Sequence, residues 1–182
     1  MTKIAITGHS AGIGQALAKI YSNQGHEIIG LSRRNGFNIR HIPKLVEQIK
    51  PCDIFINNAQ VGFAQTELLF AVYKEWEGIE NKKIINISSF MTASPVSPLP
   101  GLAMTEYYVQ KIALEESIKQ LRHYQNWPKL CLIKPGAIAT QPGQTSPRPF
   151  ADVDLWANRL VDILNSGIDL EVEEISLGVN YP

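Results

Sequence analysis

The chain has little cysteine, no excess charge of either sign and no long apolar run. Two cysteines, Cys52 and Cys131, stand among 182 residues, each at or within a segment that reads as a strand. A disulfide-built scaffold is therefore excluded, and a reducing, cytoplasmic setting is the expectation. Lys and Arg total 17, as do Asp and Glu, so the formal net charge is zero. No basic excess exists to hold nucleic acid or an anionic membrane, and neither is expected as a partner. No apolar run approaches the roughly 20 residues a bilayer span needs, and the first residues enter a strand pattern without a signal-peptide profile. The four histidines, His9, His26, His41 and His123, are scattered without metal-ligand spacing, so no metal is expected.

What the chain does have is an alternation of short apolar runs and amphipathic stretches. Hydrophobic residues make up 45% and charged residues 19%, the balance of a globular protein, and the length suits one domain spanning 1–182. Strands are expected at 3–7, 27–32, 36–39, 53–57, 83–88, 130–134 and 173–177. Helices are expected at 12–23, 43–49, 63–78, 104–124 and 152–164. Apolar runs of this length between helices read as strands buried on both faces. The rhythm predicts an α/β fold: a doubly wound, mostly parallel sheet of about seven strands with helices on both faces. Two Pro- and Gly-bearing loops, 90–103 and 141–150, follow the carboxyl ends of strands, the side where open α/β sheets bind ligands.

Residues 7–14 read Thr-Gly-His-Ser-Ala-Gly-Ile-Gly, between the first strand and the first helix. Glycines at 8, 12 and 14 let a strand turn sharply into a helix whose leading N–H groups face outward. Unpaired donors and the helix dipole together favour a phosphate, so Gly8, Ser10, Gly12, Ile13 and Gly14 are candidates for holding a dinucleotide. The spacing is Gly-x-x-x-Gly-x-Gly.

Tyr107 and Lys111 lie four residues apart on an expected helix and share a face. A tyrosine is a poor acid at neutral pH, but an adjacent ammonium favours the phenolate and is expected to lower its pKa. Such a tyrosine becomes a general acid toward a carbonyl oxygen. Tyr108 lacks this partner, since Ile112 stands four residues on. Ser88 and Ser89 end a strand at the carboxyl edge, where a hydroxyl can reach a substrate oxygen.

These elements together resemble the short-chain dehydrogenases/reductases. The resemblance rests on T-G-x-x-x-G-I-G at 7–14, N-N-A at 57–59, I-N-I-S-S at 85–89, Y-x-x-x-K at 107–111 and P-G-x-x-x-T at 135–140, in the family's order. It implies a Rossmann fold with an integral active site, and hydride transfer between a nicotinamide cofactor and a small carbonyl or alcohol substrate. It implies Tyr107 as the acid–base residue, Lys111 on the nicotinamide ribose and Ser89 orienting the substrate oxygen. Tyr107 and Lys111 would both also meet the cofactor. Asn58 and Ala59 would line the nucleotide cleft, and Asn38 and Ile39 the adenine. Pro135, Gly136, Ile138 and Thr140 would pass beside the nicotinamide. A homodimer through the helix at 104–124, or a homotetramer, is expected on the same ground.

The end of the second strand bears on cofactor choice. NAD-specific proteins place a carboxylate there; this chain has Ser32-Arg33-Arg34. Guanidinium groups bind a 2′-phosphate well, so NADP(H) is the expected cofactor and NAD(H) the alternative. Arg33 is the leading contact, with Ser32 beside it and Ser10 a helper.

The chain departs from the family pattern in places. Only 26 residues separate Ala59 from Asn86, and the helix that supplies a catalytic asparagine in the family is not found. Gln60 stands where N-N-A-G has its last glycine. The 17 residues between Ser89 and Tyr107 make a longer loop than the pattern has. Counting back from Tyr107 selects Ser94, but Ser89 is set by the sheet and is preferred. Two rivals follow: a catalytically impaired NADP(H)-binding sensor or partner protein, and an epimerase or dehydratase on a related fold.

Overall fold

A computed structural model of the chain describes residues 1–93, 101–124, 127–140, 144, 149–166 and 171–178. The elements run β1 (Lys3–Thr7), α1 (Gly12–Asn23), β2 (Glu27–Leu31), α2 (Ile42–Ile49), β3 (Ile54–Asn57) and α3 (Ala64–Trp76). They continue with β4 (Lys83–Ile87), α4 (Leu102–Leu121), β5 (Lys129–Pro135), α5 (Val153–Leu164) and β6 (Glu174–Leu177).

The strands form one sheet in the order β2-β1-β3-β4-β5-β6, and every pairing is parallel. The chain leaves β1 to one side for β2, then crosses to the other side for β3. The topological switch point therefore lies between β1 and β3, where a crevice opens outside the carboxyl ends of the strands.

Alternate side chains of each central strand point to opposite layers, and both layers are closed by helices. Ala5, Phe55, Ile84 and Leu132 pack with Leu45, Leu68, Trp76 and Ile118 from α2, α3 and α4. Ile4, Ile6, Ile56, Ile85 and Ile133 pack with Leu17, Trp156 and Leu160 from α1 and α5. Each fully buried side chain of this size contributes on the order of 1.5–3 kcal/mol. The two indoles are satisfied as well: Trp76 Nε1 donates to Lys50 O at 3.2 Å and Trp156 Nε1 to Leu177 O at 2.9 Å. Cys52 and Cys131 are free, buried thiols.

Among the described residues the sheet has six strands, against the expected seven or so. The strand expected at 36–39 is a turn: Gly36 has φ +85°, Phe37 N donates back to Ser32 O at 2.8 Å, and Asn38 Oδ1 accepts from Arg40 N at 3.1 Å. The alternation of Phe37 and Ile39 that resembles a strand arises because the turn tucks Ile39 into the core beside β2. Helix limits also move. Gly101, at φ +83°, starts α4 earlier than Met104, and α3 stops at Trp76 before Gly78 at φ +72°.

Candidate active site

The glycine turn between β1 and α1 is built for close approach of backbones. Gly8 has φ +70° and Gly12 φ +53°, where a side chain is strained. A Cβ on Gly14 would stand 2.5 Å from Gly8 O and 2.7 Å from Asn58 Nδ2, and one on Gly12 would meet Thr140 Cβ at 3.1 Å. Helix α1 begins at Gly12 behind the N-cap Ala11, with no side-chain cap and no acidic residue in its first turn. Its leading N–H groups thus have no side-chain partner, and with the dipole they suit an anion. The donor set and the glycine cradle fit the diphosphate of a nicotinamide dinucleotide.

Thr7 fixes the opposite wall. Its hydroxyl accepts from Asn58 N at 3.0 Å and Ala59 N at 3.1 Å, while Asn58 Nδ2 donates to Thr7 O at 2.9 Å. The Asn58 side chain thereby joins the ends of β1 and β3. A cavity of about 290 Å³ opens beside the turn, lined by Gly8, Ser10, Ser32, Arg33, Arg34, Phe37, Asn38, Ile39, Ala59 and Val61 among others. Arg34, which sequence reasoning set behind Arg33, reaches the glycine turn directly: its Nη1 donates to Ser10 O at 3.2 Å. Ser32 Oγ is engaged locally, donating to Asn35 Oδ1 at 3.1 Å.

Ser89, Tyr107 and Lys111 come together beyond the carboxyl end of β4. Ser89 caps a short helical turn, accepting from Met91 N at 3.3 Å. Burial pushes the Tyr107 phenol above its ordinary range, and a hydrogen bond with the Ser89 side chain partly offsets this. Lys111 Nζ sits 5.6 Å from the centroid of the Tyr107 ring. The expectation that Lys111 lowers the tyrosine's pKa is overturned here. The lysine is itself buried, its ammonium is desolvated and its pKa falls to about 7, with Glu115 opposing the fall. Ser94 and most of 141–150, including Arg148, lie outside the described residues.

At the far side, Pro135 ends β5 and Gly136 N donates to Leu177 O at 2.9 Å. A Cβ on Gly136 would stand 2.7 Å from Gly178 Cα. Ile138 packs into the core, and its backbone bridges to Ala151. Thr140 N donates to Gln144 Oε1 at 3.1 Å.

Behind this surface lies a polar layer that sequence reasoning missed. Gln65, buried at the start of α3, donates through Nε2 to Asn57 O at 2.7 Å and Ile87 O at 2.9 Å. Its Oε1 accepts from Lys111 Nζ at 2.9 Å, and Lys111 also donates to Ile87 O at 2.8 Å. Asn57 Nδ2 donates to Asn86 Oδ1 at 3.0 Å across the paired strands. Gln60 and Gln110 bond across the crevice rim. Buried Glu115 gathers Ser88, Thr92 and Lys134. The available signals were polar residues inside apolar strands (Asn57, Asn86, Lys134) and Glu115 one helical turn beyond Lys111.

This is a doubly wound dinucleotide-binding fold with a tyrosine–lysine pair beside its switch point. In sequence it is similar to a 3-ketodihydrosphingosine reductase from Bacteroides thetaiotaomicron, 28% identical over 178 residues, covering 75% of this chain and 64% of the relative. The chain thus matches less than two thirds of that protein's length. Among solved structures it superposes on a short-chain dehydrogenase from Burkholderia cenocepacia in complex with NADP, with TM-score 0.77, 17% identity and coverage of 98% of this chain and 88% of that one. A short-chain dehydrogenase/reductase from Vibrio parahaemolyticus gives TM-score 0.73 at 19% identity, covering 96% and 98%. No family model matches the chain. With these motifs in place, the chain is similar in fold to the short-chain dehydrogenases/reductases. No helix among the described residues is long and apolar enough to cross a membrane.

Proposed function

We propose that this chain, as one domain spanning 1–182, is an NADP(H)-dependent oxidoreductase that reduces a small carbonyl compound or oxidises the alcohol. The observation that carries the reading is the meeting of Ser89, Tyr107 and Lys111 beside the glycine-turn crevice. When bound, the nicotinamide supplies or accepts the hydride. Tyr107, kept protonated at neutral pH by burial, gives its proton to the carbonyl oxygen as that oxygen gains charge, and takes one back in the oxidative direction. Ser89 hydrogen-bonds the same oxygen and orients it. Lys111 holds the nicotinamide ribose with a cation fixed by Gln65 and Ile87 O. Gly8, Gly12, Ile13 and Gly14 hold the diphosphate, Asn38, Ile39 and Ala59 line the adenosine half, and Gly136, Ile138 and Thr140 contribute backbone near the nicotinamide. The sequence relative is named for reducing a keto compound, which supports the carbonyl-reducing direction. A binding-only sensor has no physical need of the tyrosine, lysine and serine together.

The cofactor preference is tested by titrating NADPH and NADH side by side and following thermal stability. NADPH is expected to bind about 10- to 100-fold more tightly, the worth of charge-assisted bonds to a phosphate. Arg33→Ala combined with Arg34→Ala is expected to erase that difference while leaving NADH binding unchanged. Equal binding of both dinucleotides by the unaltered protein rejects the preference.

The lysine fixes the sign of a pH effect. Its charged form is present below about pH 7 and is lost as pH rises through that value. For carbonyl reduction, kcat/KM is therefore expected to be highest on the acid side of neutrality and to fall above about pH 7, read from a pH profile. A flat profile between pH 6 and 9 contradicts this role of Lys111.

We also propose a homodimer or homotetramer in a cytoplasmic setting. Phe70 on α3 and Val109 and Ile112 on α4 are exposed apolar side chains, and both cysteines are free thiols. Sedimentation velocity gives the oligomeric state.

A further inference from the structure

A carboxylate that takes no part in the proposed chemistry stands directly behind it. Glu115 lies on α4 and is only 5% exposed. Its Oε1 accepts from Ser88 Oγ at 2.5 Å and from Thr92 Oγ1 at 2.6 Å. Its Oε2 pairs with Lys134 Nζ at 3.1 Å, and Lys134 also pairs with Glu174 of β6 at 2.8 Å. One side chain thus ties α4 to the end of β4, to the turn after it, and through Lys134 to β5 and β6.

The two hydroxyls bracket Ser89. Ser88 precedes it, and Thr92 closes the turn after it, with Thr92 Oγ1 2.7 Å from Ser89 O. A hydroxyl has a single proton, so Thr92 shares it between a carbonyl and a carboxylate, and both fix the turn. The orientation of Ser89 relative to the sheet therefore depends on where Glu115 stands. Glu115 is also four residues from Lys111 on the same helical face. The groups facing Lys111 are Tyr107 and Glu115 from α4, Gln65 from α3, and Ile87 O from β4; Lys134 of β5 lies behind Glu115. Of these, Glu115 carries the negative charge.

Buried ion pairs are weak evidence of stability, because desolvation offsets the attraction. Replacing a whole buried pair by well-packed apolar groups is often neutral, so the arrangement calls for a reason other than stability. We infer that Glu115 is a positioning residue: it sets the Ser89 turn and supplies the buried negative charge that keeps Lys111 a cation. The inference rests on the reading of Ser89 and Lys111 given under Proposed function.

Glu115→Gln keeps the shape and removes the charge. Two readouts apply, one of which needs no turnover. In the first, NMR follows the titration of the Lys111 ammonium with ¹⁵N-lysine, assigned by Lys111→Arg. The midpoint, expected near 7 in the unaltered protein, moves down by about one unit or more in Glu115→Gln, the size of an adjacent opposite charge. In the second, kcat for NADPH oxidation with a carbonyl that the protein turns over falls about 10- to 100-fold, the scale of a misplaced reacting group, and the pH profile shifts acidward with the NMR midpoint.

Thr92→Val, which removes only the turn contact and leaves the charge, lowers kcat with no movement of the Lys111 midpoint. It also carries the test if Glu115→Gln fails to fold. An unmoved midpoint in Glu115→Gln, or unchanged kcat in Thr92→Val, overturns the inference while the proposed function stands. Full turnover by Tyr107→Phe overturns the proposed function, and the Lys111 midpoint still decides whether Glu115 controls that charge.

Discussion

Tyr107→Phe is expected to reduce turnover by about 10²- to 10⁴-fold, the worth of a positioned general acid, with folding and dinucleotide affinity nearly unchanged. The reason lies in what the substitution removes. The ring stays, so the contact under Lys111 Nζ at 5.6 Å is kept. The hydroxyl that bonds with Ser89 is lost, and with it the proton for the carbonyl oxygen. Two other phenols are committed elsewhere: Tyr73 OH is bonded to Leu121 O at 3.1 Å in the core, and Tyr21 on α1 is buried with its pKa pushed up to about 12. Steady-state kinetics together with a thermal-shift titration of NADPH separate the two effects. A variant that retains turnover removes Tyr107 from the chemistry. One that loses cofactor binding to the same degree makes it a binding residue instead.

Gly14→Ala is expected to abolish measurable dinucleotide binding and to lower thermal stability. Gly14 is helical, so the penalty is steric and not a matter of φ. The added methyl would lie 2.5 Å from Gly8 O and 2.7 Å from Asn58 Nδ2. The first of these is backbone of the turn itself, and the second is the amide that joins β1 to β3 by donating to Thr7 O. Relief requires the turn to move away from the crevice. Overpacking of this kind costs roughly 1–3 kcal/mol, and the displaced turn no longer presents its N–H groups to a phosphate. Gly25→Ala is the contrasting variant, with strain from φ +82° but no clash, because nothing lies within 4 Å of its Cβ position. It is expected to lower stability and leave binding intact. Calorimetric titration with NADPH checks both; normal affinity in Gly14→Ala contradicts the role of the turn.

The parts of the fold that could be read from the chain are those where one physical cause dominates. The run Lys3–Thr7 is a strand because it is apolar and flanked by glycine, and α1 occupies Gly12–Asn23 as its periodicity requires. Asp152 was legible as a helix start because a side-chain acceptor there satisfies a free N–H, and it accepts from Leu155 N at 2.8 Å. The misreading at 36–39 has an equally local cause. Phe37 and Ile39 alternate as in a strand, but the glycine at φ +85° and the Asn38 side chain close a turn before any ladder can form. Alternation over so short a run does not separate the two outcomes.

The site divides along the same line. The glycines, Ser89, Tyr107 and Lys111 are visible in sequence because the roles proposed for them depend on spacing along one element or on the end of one strand. The direction of the Tyr107 pKa was not visible, because burial is a property of the packed molecule. Spacing predicts an ammonium next to a phenol; only packing reveals that both are desolvated, which raises one pKa and lowers the other.

By itself, then, the sequence determined the alternation of strands and helices, the phosphate-ready turn and the tyrosine–lysine pair, since each follows from periodicity or short-range stereochemistry. Tertiary structure alone decided that Arg34 reaches Ser10, that Gln65 holds Lys111, and that Glu115 joins Ser88, Thr92 and Lys134. Those contacts join residues 23 or more apart in most cases, and the strand order that brings them together is set by burial of both sheet faces, which no local pattern encodes.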